Sequence, residues 1–537
     1  MSTIAYLNGN IYTMDVQVPH AQAIAIDTQT GRILAVGSND EVRRVGGQYQ
    51  ERIDLHGRTV VPGFIDAHIH VLETAYRSQR VDAATCHSED EVAELVRAHA
   101  ARTPVGHWIQ GGHWDRNTWP GQRFPSKASL DAAAPMHPVA LSSKDGHLLW
   151  VNSKALALAG ISAQTPDPAM GAILRTSTGE PTGVLQEPAA TSLVFDVITP
   201  PDPYVSRQLL EQELTRLQHR GITTIHDIEG ELSLDLFRQL RDEGKLGVRV
   251  QMILPRQMLS QLPSLGIRNA ENDLLRVAGI KIFADGTLGS QTAAMLDGFE
   301  NNPGNRGILA LPEQEMMDTV RSATEQDLMI AIHAIGDRAA RVALNSIEYA
   351  QRTQAAQHDL SIPLKNVRYR LEHVQLIAPE DLERMRRLGV IASIQPFHAV
   401  ADRDIAERYW GKRYRRAYAY RTMHEMGIPL ALGSDAPVET YDPLAILYAA
   451  TIRRDPATRR PPWMPDQALS IVSALAGYTL GAAYAGAEEQ RKGSLTVGKL
   501  GDAVVLRDDL LRVAQADMTE NGVHATILGG NIVCGTL

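Results

Sequence analysis

Cysteine is almost absent from this 537-residue sequence: Cys86 and Cys534 are the only two, and they stand near opposite ends. So few thiols exclude a disulfide framework and a thiolate metal cage. Long apolar runs are missing too. None approaches the ~18 residues of a membrane span, so no membrane association is expected. The opening stretch, MSTIAYLNGNIYTMD, has no basic flank leading into an apolar segment, and no signal peptide is evident. Cytoplasm is therefore the default location. A surplus of positive charge is also lacking. The formal net charge is -9 at pH 7, which leaves no basic surface for nucleic acid and disfavours acidic membranes. Repeats and low-complexity tracts are not visible. What remains is an ordinary soluble composition, 44% hydrophobic and 21% charged. The chain is too long for one compact core, so two or more domains are expected.

The two ends read alike. Ala21–Ile26 and Arg32–Val36 flank an Asp27–Gly31 stretch suited to a hairpin, and Gly501–Leu506, Ala525–Leu528 and Asn531–Cys534 form a second strand-rich group. This pattern suggests that residues 1–59 and 490–537 meet in one small β domain, interrupted by an inserted unit over 60–489. In that middle, short apolar runs recur: Val60–His70, Gly221–Asp227, Val248–Leu254, Val277–Asp285, Leu328–His333, Tyr369–His373, Ile391–Pro396 and Pro429–Asp435. They alternate with helix-like stretches such as Tyr204–Arg220 and Glu313–Gln326. The expected fold is an α/β (β/α)₈ TIM barrel. The gap after the first run, residues 71–219, is several times a usual βα connection and reads as an insertion. Ser88 and Glu91 have capping-box spacing at its first helix. Four of the six tryptophans lie in it: Trp108, Trp114, Trp119 and Trp150. They either line a substrate pocket or form the insertion's own core.

The chemistry is concentrated at strand ends. In the run closing at FIDAHIH, His68 and His70 are two apart, so both face one side of a strand and can share one divalent metal. Alone, such a pair is more often two surface histidines. It is not alone, because His333, His373 and Asp435 close runs five, six and eight. Active sites of parallel barrels gather at the carboxyl ends of their strands, so all five side chains can converge as a site for zinc or a similar metal. Lys281 lies near the end of the fourth run. An unmodified ammonium would be repelled by a metal ion, whereas a CO₂-capped lysine would be an anionic ligand.

The order of these motifs resembles the amidohydrolase superfamily, and more closely the YtcJ-like branch of its amidohydrolase-3 group. The resemblance runs from VVPGFIDAHIH at Val60–His70 to KGSLTVGKLGDA at Lys492–Ala503. It includes DGHLLWVN at Asp145–Asn152, GITTIHD at Gly221–Asp227, Lys281–Thr287 and GSDAPVE at Gly433–Glu439. It implies a barrel carrying a small β-sandwich made from both termini. It also implies that His68, His70, His333 and His373 ligate one or two divalent ions, that Lys281 is a carboxylated bridge, and that Asp435 is ligand and general base. Trp114, Asp145 and His147 are candidates for substrate contact, although a structural hydrogen bond is an equal reading of Asp145 and His147. Glu372, beside His373, and Asp337, after His333, are groups that could orient ligands. Glu372, pointing away from His373 by strand alternation, is expected in an outer salt bridge. The basic run Lys412–Arg416 is expected on a solvated helix face. The expected partner is a small-molecule substrate, with room for a homodimer.

These parts imply metal-activated water attacking a carbonyl, with Asp435 moving the proton. Family resemblance favours a non-peptide C–N bond in an exocyclic amide, N-acyl or N-formyl compound. An ester, phosphoester or cyclic deaminase substrate stays open, as does a non-catalytic regulatory protein on the same scaffold.

Overall fold

A computed structural model describes residues 3–45, 51–77, 79–199, 202–262, 273–356, 367–513 and 517–537. At its centre eight strands lie side by side in chain order: β1 (Phe64–Ile69), β2 (Ile222–Asp227), β3 (Arg249–Pro255), β4 (Leu275–Phe283), β5 (Met329–Ala334), β6 (Tyr369–His373), β7 (Ile391–Ile394) and β8 (Leu430–Leu432). Every neighbouring pair is parallel. The strands are buried almost throughout, as expected when helices cover one face and packed side chains fill the other. β8 and β1 nearly close the ring: the Asp435 amide donates to His68 O at 2.7 Å and the His70 amide to Ala436 O at 2.9 Å. The expected barrel is therefore present, with its strands in the expected order.

The first run departs from expectation in one respect. Val60–His70 is two strands, not one. Thr59–Pro62 pairs outside the barrel with Ala503–Leu506, and the chain enters β1 through Gly63. A Cβ on Gly63 would lie 2.1 Å from Thr223 Oγ1, so the crossing has no room for a side chain.

The chain ends build two further sheets. One has the order Arg32–Gly37, Ala23–Asp27, Thr3–Leu7, Glu51–Asp54. The other runs Asn531–Gly535, Val523–Leu528, Ala503–Leu506, Thr59–Pro62, Asn10–Tyr12, His20–Ala21. Tyr6, Ile24 and Ile33 from the first pack with Ile11, Val60, Val505 and Ile527 from the second in one buried cluster. The hairpin over Asp27–Gly31 forms, with the Asp27 carboxylate accepting from the Gln29 amide and the Thr30 hydroxyl.

Between β1 and β2 come helix α1 (Val71–Arg77) and a six-stranded sheet ordered Ala172–Arg175, Pro181–Gln186, Leu148–Val151, Val139–Ser143, Ile109–Trp114, Val81–Asp82. Ser88 caps helix α2 (Glu89–Ala100) by accepting from the Glu91 amide at 3.2 Å. Further on, α3 (Pro188–Phe195) and α4 (Pro203–His219) lead back to the barrel, and α5 (Glu313–Glu325) precedes β5. Trp114, Trp119 and Trp150 are buried against one another with ring centroids 5.8 to 6.3 Å apart. They are the insertion's core. No helix among the described residues is long and apolar enough to cross a membrane.

One buried ion pair joins the barrel floor to the terminal sheets. Arg249, first in β3, reaches both oxygens of Asp502 at 2.7 and 2.8 Å, and Asp502 also accepts from the Gly529 amide. Removing one partner of such a pair strands the other charge in a low dielectric, at about 3–5 kcal/mol. Arg249→Ala is thus expected to lower the urea midpoint substantially. A midpoint within error of wild type would mean that the pair does not couple the two units.

Candidate metal centre

The strands deliver their side chains to one mouth of the barrel. His68 projects from β1, His70 follows one residue after it, Lys281 is on β4, His333 on β5 and His373 on β6, while Asp435 lies three residues beyond β8. Asp435 is the hub. Its Oδ1 lies 3.3 Å from His68 Nε2 and 3.2 Å from His70 Nε2. The His373 ring is 5.0 Å from that of His68 and 4.5 Å from that of His333. Lys281 Nζ stands 3.4 Å from His68 Nε2.

A seventh group joins them. His398, on the short helix Pro396–Ala401 after β7, places Nε2 3.1 Å from Asp435 Oδ2. Its other face looks toward Glu439, which is paired to Lys144 of the insertion at 2.9 Å. The signal of His398 in the sequence is the QPFH stretch at Gln395–His398, which carries a histidine two residues past the end of the seventh run, at the same barrel mouth. Two triplets, His68–His70–Asp435 and His373–His398–Asp435, each bring three ligand atoms within 4.8 Å of one another.

The remaining ring nitrogens show why these imidazoles suit a cation. His68 Nδ1 donates to Glu372 Oε2 at 2.6 Å, His70 Nδ1 to Ile228 O at 2.7 Å, and His373 Nδ1 to Gln395 Oε1 at 2.9 Å. With Nδ1 carrying the proton, each Nε2 keeps its lone pair, as metal-bound histidines require. His333 is held the other way round, with Nε2 donating to Gly286 O at 3.1 Å. Burial, reinforced by Lys281, lowers the His68 pKa to about 4. Burial likewise takes His333 and His373 well below the usual imidazole range. Burial pushes the Asp435 carboxyl up, but His68, His398 and His70 outweigh it and hold the group ionised. Burial also lowers Lys281 to about 8. Among the described residues Lys281 has no carboxylate at ion-pair distance, which leaves a buried amine next to neutral imidazoles. Burial acts the same way on His70 and His398, but Asp435, joined at His398 by Glu439, outweighs it and raises both, His398 to about 10. Imidazoles, one carboxylate and a buried amine form a donor set that fits a divalent ion.

Glu372 corrects an expectation. It is not in an outer salt bridge: fully buried, it joins His68 to Arg370, whose Nε donates to Glu372 Oε1 at 2.8 Å. Alternation puts Arg370 and Glu372 together inside the barrel, and His373 reaches the same site because its backbone turns left-handed, at φ 73°. Asp337, by contrast, orients no ligand among the described residues. It accepts from the Leu296 amide at 2.8 Å and pairs with Arg416 at 3.1 Å. The run Lys412–Arg416 forms a short 3₁₀ turn whose Arg413 donates to the carbonyls of Asp297 and Gly298, so part of it ties loops together.

Above these groups lies a cavity of ≈ 160 Å³. Phe283, Leu288, Ile335 and Ile405 are among its apolar lining residues, and Lys144, His147, Asp402 and Glu439 among its polar ones. The three candidates for substrate contact all border it but differ in what they have left to offer. Trp114 donates its indole N–H to Leu141 O at 2.8 Å and packs in the insertion core. Asp145 accepts from the hydroxyls of Ser143, Thr287 and Ser290 at 2.5 to 2.6 Å, clasping the insertion to the loop after β4. Among the described residues the His147 ring hydrogen-bonds through Nδ1, to Glu187 at 2.8 Å.

Comparison with known proteins agrees with this geometry. Residues 51–534 match the model of the Amidohydrolase family. The chain is 29% identical to the Bacillus subtilis protein named "Putative amidohydrolase YtcJ", over 98% of each chain. It is 30% identical to the N-substituted formamide deformylase of Arthrobacter pascens, over 99% of this chain and 98% of that one. A crystal structure of an uncharacterised metal-dependent hydrolase from Pyrococcus horikoshii superposes with a TM-score of 0.77 at 26% identity, covering 96% of this chain and 99% of that one.

The buried link through Glu372 generates a specific expectation. Glu372→Gln should weaken divalent-metal affinity about 10–100-fold, read by competition with a chelator, while circular dichroism reports whether the fold is kept. Wild-type affinity in a folded variant would remove Glu372 from the centre.

Proposed function

The chain belongs to the amidohydrolase family, and from that premise we propose that it is a metal-dependent hydrolase cleaving a non-peptide C–N bond of a small molecule. The observation that carries this reading is Asp435, shared by two ligand triplets directly beneath a half-apolar cavity. Similarity to a formamide deformylase over nearly the whole chain supports an N-formyl or N-acyl substrate. The apolar lining residues suit the substituent on nitrogen, and the polar ones suit the acyl group.

His68, His70, His333, His373 and Asp435 would hold the ion or ions, with zinc the natural choice for such nitrogen-rich ligands. Lys281 would join them after its amine adds to CO₂, which replaces a repelled cation by an anionic carbamate. The metal supplies Lewis acidity, lowering the pKa of water from about 15.7 to about 7 and polarising the carbonyl. Asp435 takes the proton from the attacking water and returns it to the departing nitrogen. Its Oδ2 is already held by His398 Nε2 at 3.1 Å. Glu372 and Gln395 keep the imidazoles of His68 and His373 in register. The layout follows the same reading: 1–59 with 490–537 as one β-sandwich domain, 60–489 as the barrel, and 71–219 as an insertion that covers the site.

Three expected outcomes test this. The metal-loaded protein should release amine from N-formyl or N-acyl amines in a panel that also holds esters, phosphoesters and cyclic amidines. Preference for one of the latter moves the assignment to another bond, and no turnover with full metal content points to a regulatory protein. Asp435→Asn should lower kcat by at least about 10³-fold while retaining the fold; full activity would sink its role as base. Plasma mass spectrometry should find near two metal equivalents per chain, falling sharply in Lys281→Ala. A single equivalent unaffected by that change would leave Lys281 a substrate-binding residue.

A further inference from the structure

The cavity over the metal centre is small. At ≈ 160 Å³ it is close to the volume, about 150 Å³, that accepts benzene and little more. A second space adjoins it beside His70, a chamber of ≈ 480 Å³ between helix α1 and the insertion sheet. His70, Ser143, Lys144 and Val438 border both spaces. The Lys144 amide donates to Trp114 O at 2.9 Å, and its ammonium pairs with Glu439 at 2.9 Å. Glu439 borders the cavity but not the chamber, so the ammonium is held on the cavity side of its stem. The chamber's own ions are matched within the protein. Arg77 donates to Asp82 at 2.9 Å and to Pro437 O at 3.1 Å, and Arg80 pairs with Glu73. Glu229 accepts from the amides of Leu72 and Glu73 and from the Ser233 hydroxyl at 2.7 to 3.1 Å. What is left is largely apolar: Leu72, Tyr76, Val81, Pro437 and Val438, with four glycines. One of these is Gly230, at φ −97° and ψ −162°, where an added Cβ meets nothing within 4 Å. A side chain there would enter open space without backbone strain.

We propose that this chamber is a second substrate subsite, which takes an uncharged alkyl or aryl tail of an amide whose scissile group lies at the centre. The assignment rests on the reading of the site as a hydrolase of acyl compounds. An uncharged group matches a space whose ions are already paired, because an added charge would enter without a counter-charge. Size points the same way. The reacting group and the first atoms of its substituent fill the cavity, and a longer substituent has to continue into an adjoining space. The other space that adjoins it is an outer groove of ≈ 790 Å³, and the carboxylates of Asp115 and Glu439 stand at that boundary. A hydrocarbon passing there would strip water from both. The boundary with the chamber offers Val438 and the Lys144 stem instead. Each methylene that leaves water for such a lining is worth about fourfold in affinity. The insertion sheet therefore builds part of the substrate site as well as a cover over it.

The test uses metal-loaded wild type, Gly230→Phe and Gly230→Leu, with metal equivalents and Tm measured on each. Two substrate series are assayed, N-formyl alkylamines and N-acyl methylamines, each lengthened one methylene at a time from methyl to octyl. In one series kcat/KM should rise about fourfold per methylene once the chain outgrows the cavity, and level off when the chamber is full. The series that rises identifies the end of the substrate that carries the tail. Gly230→Phe, whose ring occupies the chamber, should flatten the rise, and Gly230→Leu should end it at a shorter chain. The same chains are read without turnover as alkanoates from acetate to octanoate, titrated calorimetrically. Their affinity should climb with length in wild type and stay level in Gly230→Phe. Flat profiles in both substrate series and in the alkanoates overturn the proposal and leave a solvent-filled cleft. A rise that survives in Gly230→Phe at wild-type metal content overturns it too, because the tail then lies elsewhere. If Gly230→Phe loses metal or does not fold, Gly230→Leu carries the comparison. Wild type that hydrolyses no amide refutes the reading of the bond instead, and the alkanoate titration still decides the role of the chamber.

Discussion

The seam between β8 and β1 is the constraint on which the rest of this molecule depends. A parallel barrel must bring its last strand to its first, and here the residues that do so are the ligand-bearing ones. The Asp435 amide bonds to His68 O, while the Asp66 carboxylate, between the strands, accepts from the amides of His68 and Ser434. Gly433 permits the approach, since a Cβ there would fall 2.5 Å from His68 N. Closing the barrel and assembling the centre are therefore one event. A change that loosens the seam would separate Asp435 from both histidines of β1.

A site built inside a barrel mouth takes charges out of water, and its stability depends on how they are matched. Arg370, Glu372 and His68 form a buried chain in which Arg370 holds the carboxyl well below its usual range against the effect of burial. Arg370 also donates to Ser393 and Ala67 O, so its guanidinium is spent on structure. Lys281 is the exception. It makes no ion pair with a carboxylate among the described residues, and burial outweighs the attraction of Glu372 and Asp435 and lowers its pKa to about 8. An apolar replacement would pack there at lower electrostatic cost, which makes a lysine at this position a matter of chemistry more than of folding.

The insertion and the terminal sheets bear on the centre from opposite ends. Arg249 and Asp502 fasten the floor of the barrel to the terminal sheets, well away from the ligands. At the mouth the insertion brings in Lys144, Asp145 and His147 from a rigid support, a sheet anchored by three mutually packed tryptophans. Lys144 pairs with Glu439, and Asp145 with the loop after β4, so the cover is attached to two barrel loops that also shape the cavity.

The barrel was legible in the sequence because burial on both faces writes itself as short, nearly continuous apolar runs. Five of the ligand candidates were legible because they stand where those runs end. The break at Gly63 was not, since one apolar run can feed two sheets without any change in composition. Glu372 was misread for a related reason. Alternation is a local rule, and a left-handed residue at His373 breaks it under a constraint that comes from the neighbouring strands. His398 is harder to see, because it stands past the end of its run on a helix start, which carries no pattern. The alternation of eight runs, the positions of His68, His70, Lys281, His333, His373 and Asp435 near their ends and the strand-rich termini are all written in local patterns of residues. Which nitrogen of each imidazole is free, which carboxylate supports His68 and which insertion residues border the cavity come from the folded chain. Those depend on contacts between segments up to hundreds of residues apart, and no local pattern encodes them.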